Sequence, residues 1–125
     1  MKWIDETVAL AVHEEQLAEH GGPLGLRDPS ILQSALARPR NLLAYGAPDI
    51  ADLAASYAYG LVKDHPFVDG NKRVSLVVTE TFLILNGLDL TASDADCLAM
   101  WMSIASGELS EIECAAWLRR NIEGQ

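Results

Sequence analysis

The sequence predicts an all-α protein, a compact bundle of about six helices. Three observations predict this class. No segment alternates apolar and polar residues as a strand does, residues 74–85 form an apolar stretch of helix length, and capping residues recur along the chain. With 125 residues, 50% of them hydrophobic, the chain is long enough for one core and too short for two. Residues 1–125 are therefore predicted to form a single domain.

The first two helices are predicted from their start signals. Asp5 is a suitable N-cap for a helix that runs to about His20 and stops at two glycines. Asp28, followed by a proline, begins the second helix. This helix is predicted to end before Pro39, because proline disrupts a helix interior. Residues 40–48 are then predicted to form a loop.

The third and fourth helices are predicted to occupy the centre of the bundle. Asp49 opens the third, which reaches roughly Lys63 and carries small residues that let neighbouring helices approach closely. The fourth, from about Gly70 to Asn86, is rich in β-branched residues that would also suit a strand. Its length and the following Gly87 favour a helix. Because it is apolar nearly all round, this helix is expected to be surrounded by others.

The last third of the chain is predicted to form two closing helices. Ser93 with Asp96, and Ser110 with Glu113, have the spacing of capping boxes. Both cysteines of the chain lie in this part, and they have no C-x-x-C spacing. They are therefore predicted to be reduced, packed thiols rather than parts of a disulfide framework or a zinc site.

Charge and composition exclude several classes of function. The net charge of −9 argues against general nucleic-acid binding, which needs a basic surface. The longest apolar run is interrupted at residues 79–81, and residues 1–13 carry charges that a signal segment would lack. The expectation is a cytoplasmic protein that binds neither membranes nor, directly, nucleic acids. His13 and His20 have no metal-ligand cluster around them and are predicted at the surface or at a helix end.

The most informative segment is the run from His65 to Arg73, HPFVDGNKR. It combines a potential base, a carboxylate, a glycine, an amide and two cations immediately before an apolar helix. The unpaired N–H groups and the positive dipole end of that helix would lie beside Asn71 and the cations, which favours phosphate binding. The imidazole could accept a proton from an incoming hydroxyl. Together these groups indicate transfer of a group from a nucleotide.

Each residue of this segment has a predicted role in that chemistry. His65 is the candidate general base, and Asp69 is the candidate ligand that holds Mg²⁺ against nucleotide phosphates. Asp69 could alternatively cap the helix. Gly70 allows close approach of a phosphate or a left-handed turn, and Asn71 can orient the loop or a phosphate oxygen.

Three cations form a local basic spot on this acidic chain. Lys72 and Arg73 are predicted to bind phosphate, Arg73 through its planar guanidinium, although a structural ion pair is the alternative for Arg73. Lys63 could add a further cation to the phosphates, or it could be an exposed lysine at a helix end. Such a spot suits a phosphate ligand better than a polynucleotide.

The run from His65 to Arg73 resembles the motif H-x-F-x-[D/E]-G-N-[G/K]-R of the Fic/Doc family. The lysine at position 72 and the short chain resemble its Doc (death-on-curing) branch, the toxins of Phd–Doc toxin–antitoxin modules. The stretch His20–Pro29, the helix stop Asn86-Gly87 and the turn Ser106–Ser110 also match the family. The resemblance implies an all-α fold in which the active-site loop enters the N-terminus of a central buried helix.

The resemblance also implies an activity. Doc proteins with this lysine resemble kinases that use ATP and Mg²⁺ to phosphorylate a threonine of elongation factor Tu and so stop translation. By that resemblance, Lys72 and Arg73 hold the phosphates while His65 activates the hydroxyl. One alternative is AMP transfer by an ordinary Fic enzyme, in which position 72 is glycine. Another is a non-enzymatic binding module, which would be expected to have lost His65 or Asp69.

Restraint of this activity is expected to come from a separate Phd-like antitoxin. The cis-inhibitory family pattern [S/T]-x-x-x-E-[G/N] is absent, because Arg119 stands four residues before Glu123, where it requires serine or threonine. An apolar helical stripe is predicted to pack in the core, or in part to line the groove that receives an antitoxin helix. Its members are Leu98, Trp101, Met102 and Ala105.

Overall fold

The computed structural model describes residues 1–23 and 25–125. It contains α1 (Glu6–His20), α2 (Pro29–Tyr45), α3 (Ile50–Asp64), α4 (Asn71–Leu85), β1 (Leu88–Leu90), α5 (Asp94–Ser106), α6 (Glu111–Arg120) and β2 (Ile122–Gly124). The prediction of an all-α fold with about six helices is confirmed. The two short strands, which the sequence did not predict, pair antiparallel with Leu88 opposite Gly124. Leu24, part of the stretch His20–Pro29, lies outside the described residues.

No helix in the described part of the chain is both long enough and apolar enough to span a membrane.

Five of the six helices begin at a side chain that accepts a hydrogen bond from the first turn, as predicted. These N-cap residues are Asp5, Asp28, Asp49, Ser93 and Ser110. Ser110 and Glu113 form the complete predicted capping box, whereas Ser93 accepts from the Asp96 N–H, which is one half of such a box. The remaining helix, α4, begins at Gly70, and no side chain caps it.

The prediction that the second helix ends before Pro39 is wrong, because α2 continues through this residue. Within the predicted loop 40–48, residues 40–45 are helical. Proline removes one main-chain hydrogen bond, but contacts to other helices hold this part of α2. The Arg38 guanidinium donates to the Ser56 carbonyl at 2.9 Å and also pairs with Glu111 on α6. Pro39 itself is buried in the core.

Helix α3 forms the centre of the bundle, as predicted, and α4 packs against it with one face, whereas Ile84 and Leu85 at the end of α4 are exposed and not surrounded by other helices. A chain of hydrogen bonds joins α3 and α4 to α5. The Ser75 hydroxyl on α4 donates to the Ala58 carbonyl on α3 at 2.8 Å, and the Trp101 indole N–H on α5 donates to the same hydroxyl at 2.8 Å. All three residues are buried, so these bonds fix the position of α5 against the N-terminal half of α4.

Cys97 and Cys114 are free and buried, as predicted. Burial raises the pKa of the Cys97 thiol to about 11 and that of Cys114 to about 12. Both thiols are therefore protonated at neutral pH and poor nucleophiles.

Candidate active site

A cavity of about 400 Å³ opens where the loop between α3 and α4 meets α5. Six of the seven predicted site residues line it, namely His65, Asp69, Gly70, Asn71, Lys72 and Arg73. Its opposite wall is apolar and comes mainly from Leu98, Trp101, Met102 and Ala105 on α5. A polar loop that faces an apolar wall is the usual composition of a ligand-binding pocket.

His65 lies at the end of α3 in a left-handed backbone conformation, with φ 50° and ψ 59°. It is the single non-glycine residue with positive φ in the part of the chain that the structure describes. The Arg27 side chain stabilises this turn: its Nε donates to the His65 carbonyl at 2.7 Å and its Nη2 to the Asp64 carbonyl at 2.8 Å. A strained, well-supported backbone of this kind is common at functional sites.

The segment between α1 and α2 also supports the loop through the main chain. Leu26 and Phe67 form an antiparallel β-bridge, and the Arg27 N–H donates to the Pro66 carbonyl at 2.8 Å. Phe67 is 1% exposed, so it anchors the loop in the core as predicted. The first half of the loop is therefore fixed by the segment between α1 and α2 and by the core.

Asn71 orients the loop, one of the two roles predicted for it. Its Oδ1 accepts from the Phe67 N–H at 3.0 Å, and its Nδ2 donates to the Phe67 carbonyl at 3.0 Å. This fixes the amide so that Nδ2 also lies 3.2 Å from His65 Nδ1. Because an amide NH₂ only donates, the neutral imidazole in this contact carries its proton on Nε2. To accept a proton, Nε2 must be unprotonated, so the ring would have to leave this contact with Asn71. The exposed position of His65 allows that movement.

Asp69 places an exposed carboxylate at the cavity. Its Oδ1 accepts from the Gly70 N–H at 2.8 Å, but Asp69 does not cap α4, so the alternative role is not observed. Gly22, the second residue after α1, has φ 115°, which favours glycine, and a Cβ there would lie 2.8 Å from Asp69 Oδ2. No cluster of three or more His, Cys, Asp or Glu residues in the described chain could hold a metal unaided. A single carboxylate fits Mg²⁺ that arrives with phosphate oxygens as its other ligands.

The N-terminus of α4 combines the features that favour anion binding. Gly70 precedes it in a left-handed conformation, with φ 81°, and leaves the first N–H groups of the helix without a side-chain cap. Lys72 and Arg73 are exposed, and neither forms an ion pair with any described residue. The ion pair considered for Arg73 is thus not observed. Helix dipole, open N–H groups and two cations converge on one side of the cavity.

Comparison with known proteins agrees with this geometry. The family model described as "Fic/DOC family" matches residues 3–83, which include the whole loop. The chain belongs to the Fic/DOC family. "Protein kinase doc" of Escherichia phage P1 is 29% identical over 121 residues, 96% of this chain and 95% of the relative. "Toxin Doc" of Mycolicibacterium smegmatis (strain ATCC 700084 / mc(2)155) is 41% identical over 75 residues, 58% of this chain and 57% of the relative.

Lys63 is the one predicted site residue that does not line the cavity of this Fic/DOC protein. Its ammonium lies 5.8 Å from the centre of the Tyr59 ring and would be 3.6 Å from a Cβ at Gly107. Its binding to phosphate stays a prediction.

The prediction that His13 is a surface or helix-end residue is wrong. His13 is buried on the face of α1 that carries Ala9 and Val12, and it contacts the loop of the Fic/DOC motif. Arg27 was also missed as a site residue. The sequence carries no local signal for either, because their partners lie 37 or more residues away along the chain. His20 is exposed, as predicted.

Proposed function

We propose that this protein is the toxin of a toxin–antitoxin pair and acts in the cytoplasm as a protein kinase. It transfers the terminal phosphate of ATP, with Mg²⁺, to a serine or threonine hydroxyl of a translation factor such as elongation factor Tu. The main observation in support of this proposal is that the uncapped N-terminus of α4, with Lys72 and Arg73, lines the same cavity as His65 and Asp69. The phage P1 relative, which matches nearly the whole chain, bears the name of a protein kinase.

The residues of the cavity have different roles in this reaction. Lys72, Arg73 and the open N–H groups of α4 bind phosphate oxygens, because phosphoryl transfer depends on positioning and on stabilising charge. His65 accepts the proton of the target hydroxyl as its oxygen bonds to the terminal phosphorus and ADP leaves. Asp69 would hold Mg²⁺, which, when bound, neutralises charge on the phosphates.

One labelling experiment tests the proposed function. The purified protein is incubated with elongation factor Tu and with ATP labelled on either the α or the γ phosphate. The kinase predicts label on the factor from γ-labelled ATP alone. Label from α-labelled ATP would identify AMP transfer and contradict the kinase. No label from either would favour a binding module.

Lys72 is expected to be needed for phosphoryl transfer. The change Lys72→Gly removes a cation from the phosphate side of the cavity, and a hydrogen bond to a charged group contributes about 1.5–3 kcal/mol, or roughly 10- to 100-fold in rate. Initial rates with γ-labelled ATP measure the loss, and the mass added to the target identifies the group transferred. Lys2→Gly removes the same charge from an exposed residue whose main chain bonds to Asn86, at the opposite end of α4 from the loop, and is expected to keep the native rate. Equal rates for the two variants would contradict this role.

The antitoxin is expected to cover the apolar wall of the cavity. Trp101 is buried, but Leu98 is 55% exposed and Met102 63% exposed, so the predicted stripe divides between core and cavity wall. An amphipathic helix of a Phd-like antitoxin would bury this wall.

The change Met102→Asp places a charge on that wall and is expected to weaken antitoxin binding by more than about tenfold. Ile112→Asp, at an 83% exposed residue outside this cavity, is the control and should bind normally. Titration calorimetry measures both affinities, and hydrogen exchange should show new protection on α5 in the complex. Equal affinities of the two variants, or no protection on α5, would place the antitoxin elsewhere.

A further inference from the structure

Behind the active-site loop lies a histidine that the proposed chemistry does not use. His13 on α1 is 4% exposed, and its ring stacks on that of Phe67, with the centroids 4.0 Å apart and the planes at 15°. Its Nε2 lies 3.2 Å from the main-chain carbonyl oxygen of Asp69. If stacking on Phe67 were its only role, an apolar side chain would be sufficient at this position. A buried imidazole is costly without a hydrogen bond, so the contact with the Asp69 carbonyl explains why a polar ring stands here.

We propose that His13 is a positioning residue that sets the orientation of the Asp69–Gly70 peptide and thereby directs the Gly70 N–H to the cavity. In a trans peptide the C=O and N–H groups point in opposite directions. A carbonyl held by α1 therefore places the N–H on the other side, where Gly70 donates to the Asp69 carboxylate at the cavity. The Asp69 carbonyl lies outside the hydrogen-bond ladder of α4, which begins with the Val74 N–H to the Gly70 carbonyl, so it needs another partner.

Gly70 makes such a positioning residue necessary. Glycine adopts positive and negative φ with similar ease, so the peptide before it can turn over with little backbone strain. Two hydrogen bonds select the observed orientation: His13 binds the carbonyl, and Asp69 Oδ1 accepts from the N–H. If Oδ1 turns from Gly70 to a metal ion when the proposed reaction runs, the His13 contact alone holds the peptide. The consequence for catalysis rests on the proposed function, whereas the orientation of the peptide does not.

A nearly isosteric pair of variants tests the inference. His13→Gln keeps an N–H donor at about the same reach, and His13→Met has the same length without a donor. Val12→Ala, at the neighbouring buried position, weakens the packing of α1 without touching the loop contact. The readouts are the Gly70 amide signal in a ¹H–¹⁵N spectrum, kcat and KM for γ-phosphate transfer, and the melting temperature.

His13→Met is expected to shift the Gly70 amide signal and to lower kcat about 10- to 100-fold, the usual effect of losing a group that orients a ligand residue. His13→Gln should restore both, and Val12→Ala should lower the melting temperature while leaving both unchanged. The inference would be overturned if the Gly70 signal did not shift in His13→Met. It would also be overturned if kcat fell as much in His13→Gln or in Val12→Ala as it does in His13→Met.

A further test uses the native protein and therefore does not depend on whether the variants fold. Nε2 can donate to the Asp69 carbonyl only if it carries a proton, so ¹⁵N spectra of labelled histidine must show His13 with a proton on Nε2. A neutral His13 protonated on Nδ1 would overturn the proposal. If the native protein transfers no phosphate, the proposed function fails, and the amide and tautomer measurements still decide the role of His13.

Discussion

Replacing His65 by alanine is expected to lower the rate of phosphoryl transfer by ~10²–10⁴-fold and to leave the fold intact, because a general base supplies about that factor. The side chain is exposed, and its ring contact is with Asn71 Nδ2 at 3.2 Å, so little packing is lost. His65→Gly should lose the same activity. Its free energy of unfolding should nevertheless exceed that of the native protein by about 1 kcal/mol, since glycine adopts the left-handed conformation without steric cost.

Rates with γ-labelled ATP and thermal unfolding curves check both effects. His20→Ala is the matched control, because His20 is an exposed histidine outside the cavity. Full activity in either His65 variant would remove the residue from the mechanism. A destabilised His65→Gly would contradict the strain assigned to this turn.

The change Asp69→Asn is expected to abolish most of the magnesium-dependent activity. Asparagine keeps the shape of the side chain and an oxygen for the Gly70 N–H, but it loses the charge that holds the cation. A metal ion contributes several kcal/mol to charge stabilisation, so the loss should be at least ~10²-fold.

The measurement for Asp69 is the rate as a function of Mg²⁺ concentration. Asp64→Asn makes the same change of charge five residues earlier, at a side chain that does not line the cavity, and should respond to Mg²⁺ as the native protein does. Native activity that survives removal of Mg²⁺ by a chelator would refute the assignment, as would equal behaviour of the two variants.

Helix starts could be predicted from the sequence because their determinants are local. Asp49 caps α3 and Ser110 caps α6 through N–H groups three residues away. The end of α2 could not be predicted in this way. The rule that proline ends a helix is also local, whereas Arg38 holds α2 through partners 18 and 73 residues distant. Tertiary contacts overrode the local preference.

The same distinction separates the predicted from the missed residues of the site. The six predicted site residues between His65 and Arg73 lie together because they come from one short run, so one motif places them in one cavity. Arg27 and His13 reach the loop from 38 and 56 residues away along the chain. Their roles depend on how α1 and the segment before α2 pack, and no spacing in the sequence encodes that.

The wall of the cavity contains an optical reporter of its occupancy. Trp101 lines the cavity although it is only 1% exposed, and its indole N–H is bonded to Ser75, so a ligand packed on this wall changes the surroundings of a fixed fluorophore. Trp117 lies edge-on to it at 6.3 Å, and Trp3 is stacked on Phe82. Binding of a ligand in this cavity is therefore expected to change the intrinsic emission of the protein, so it can be followed without an attached dye.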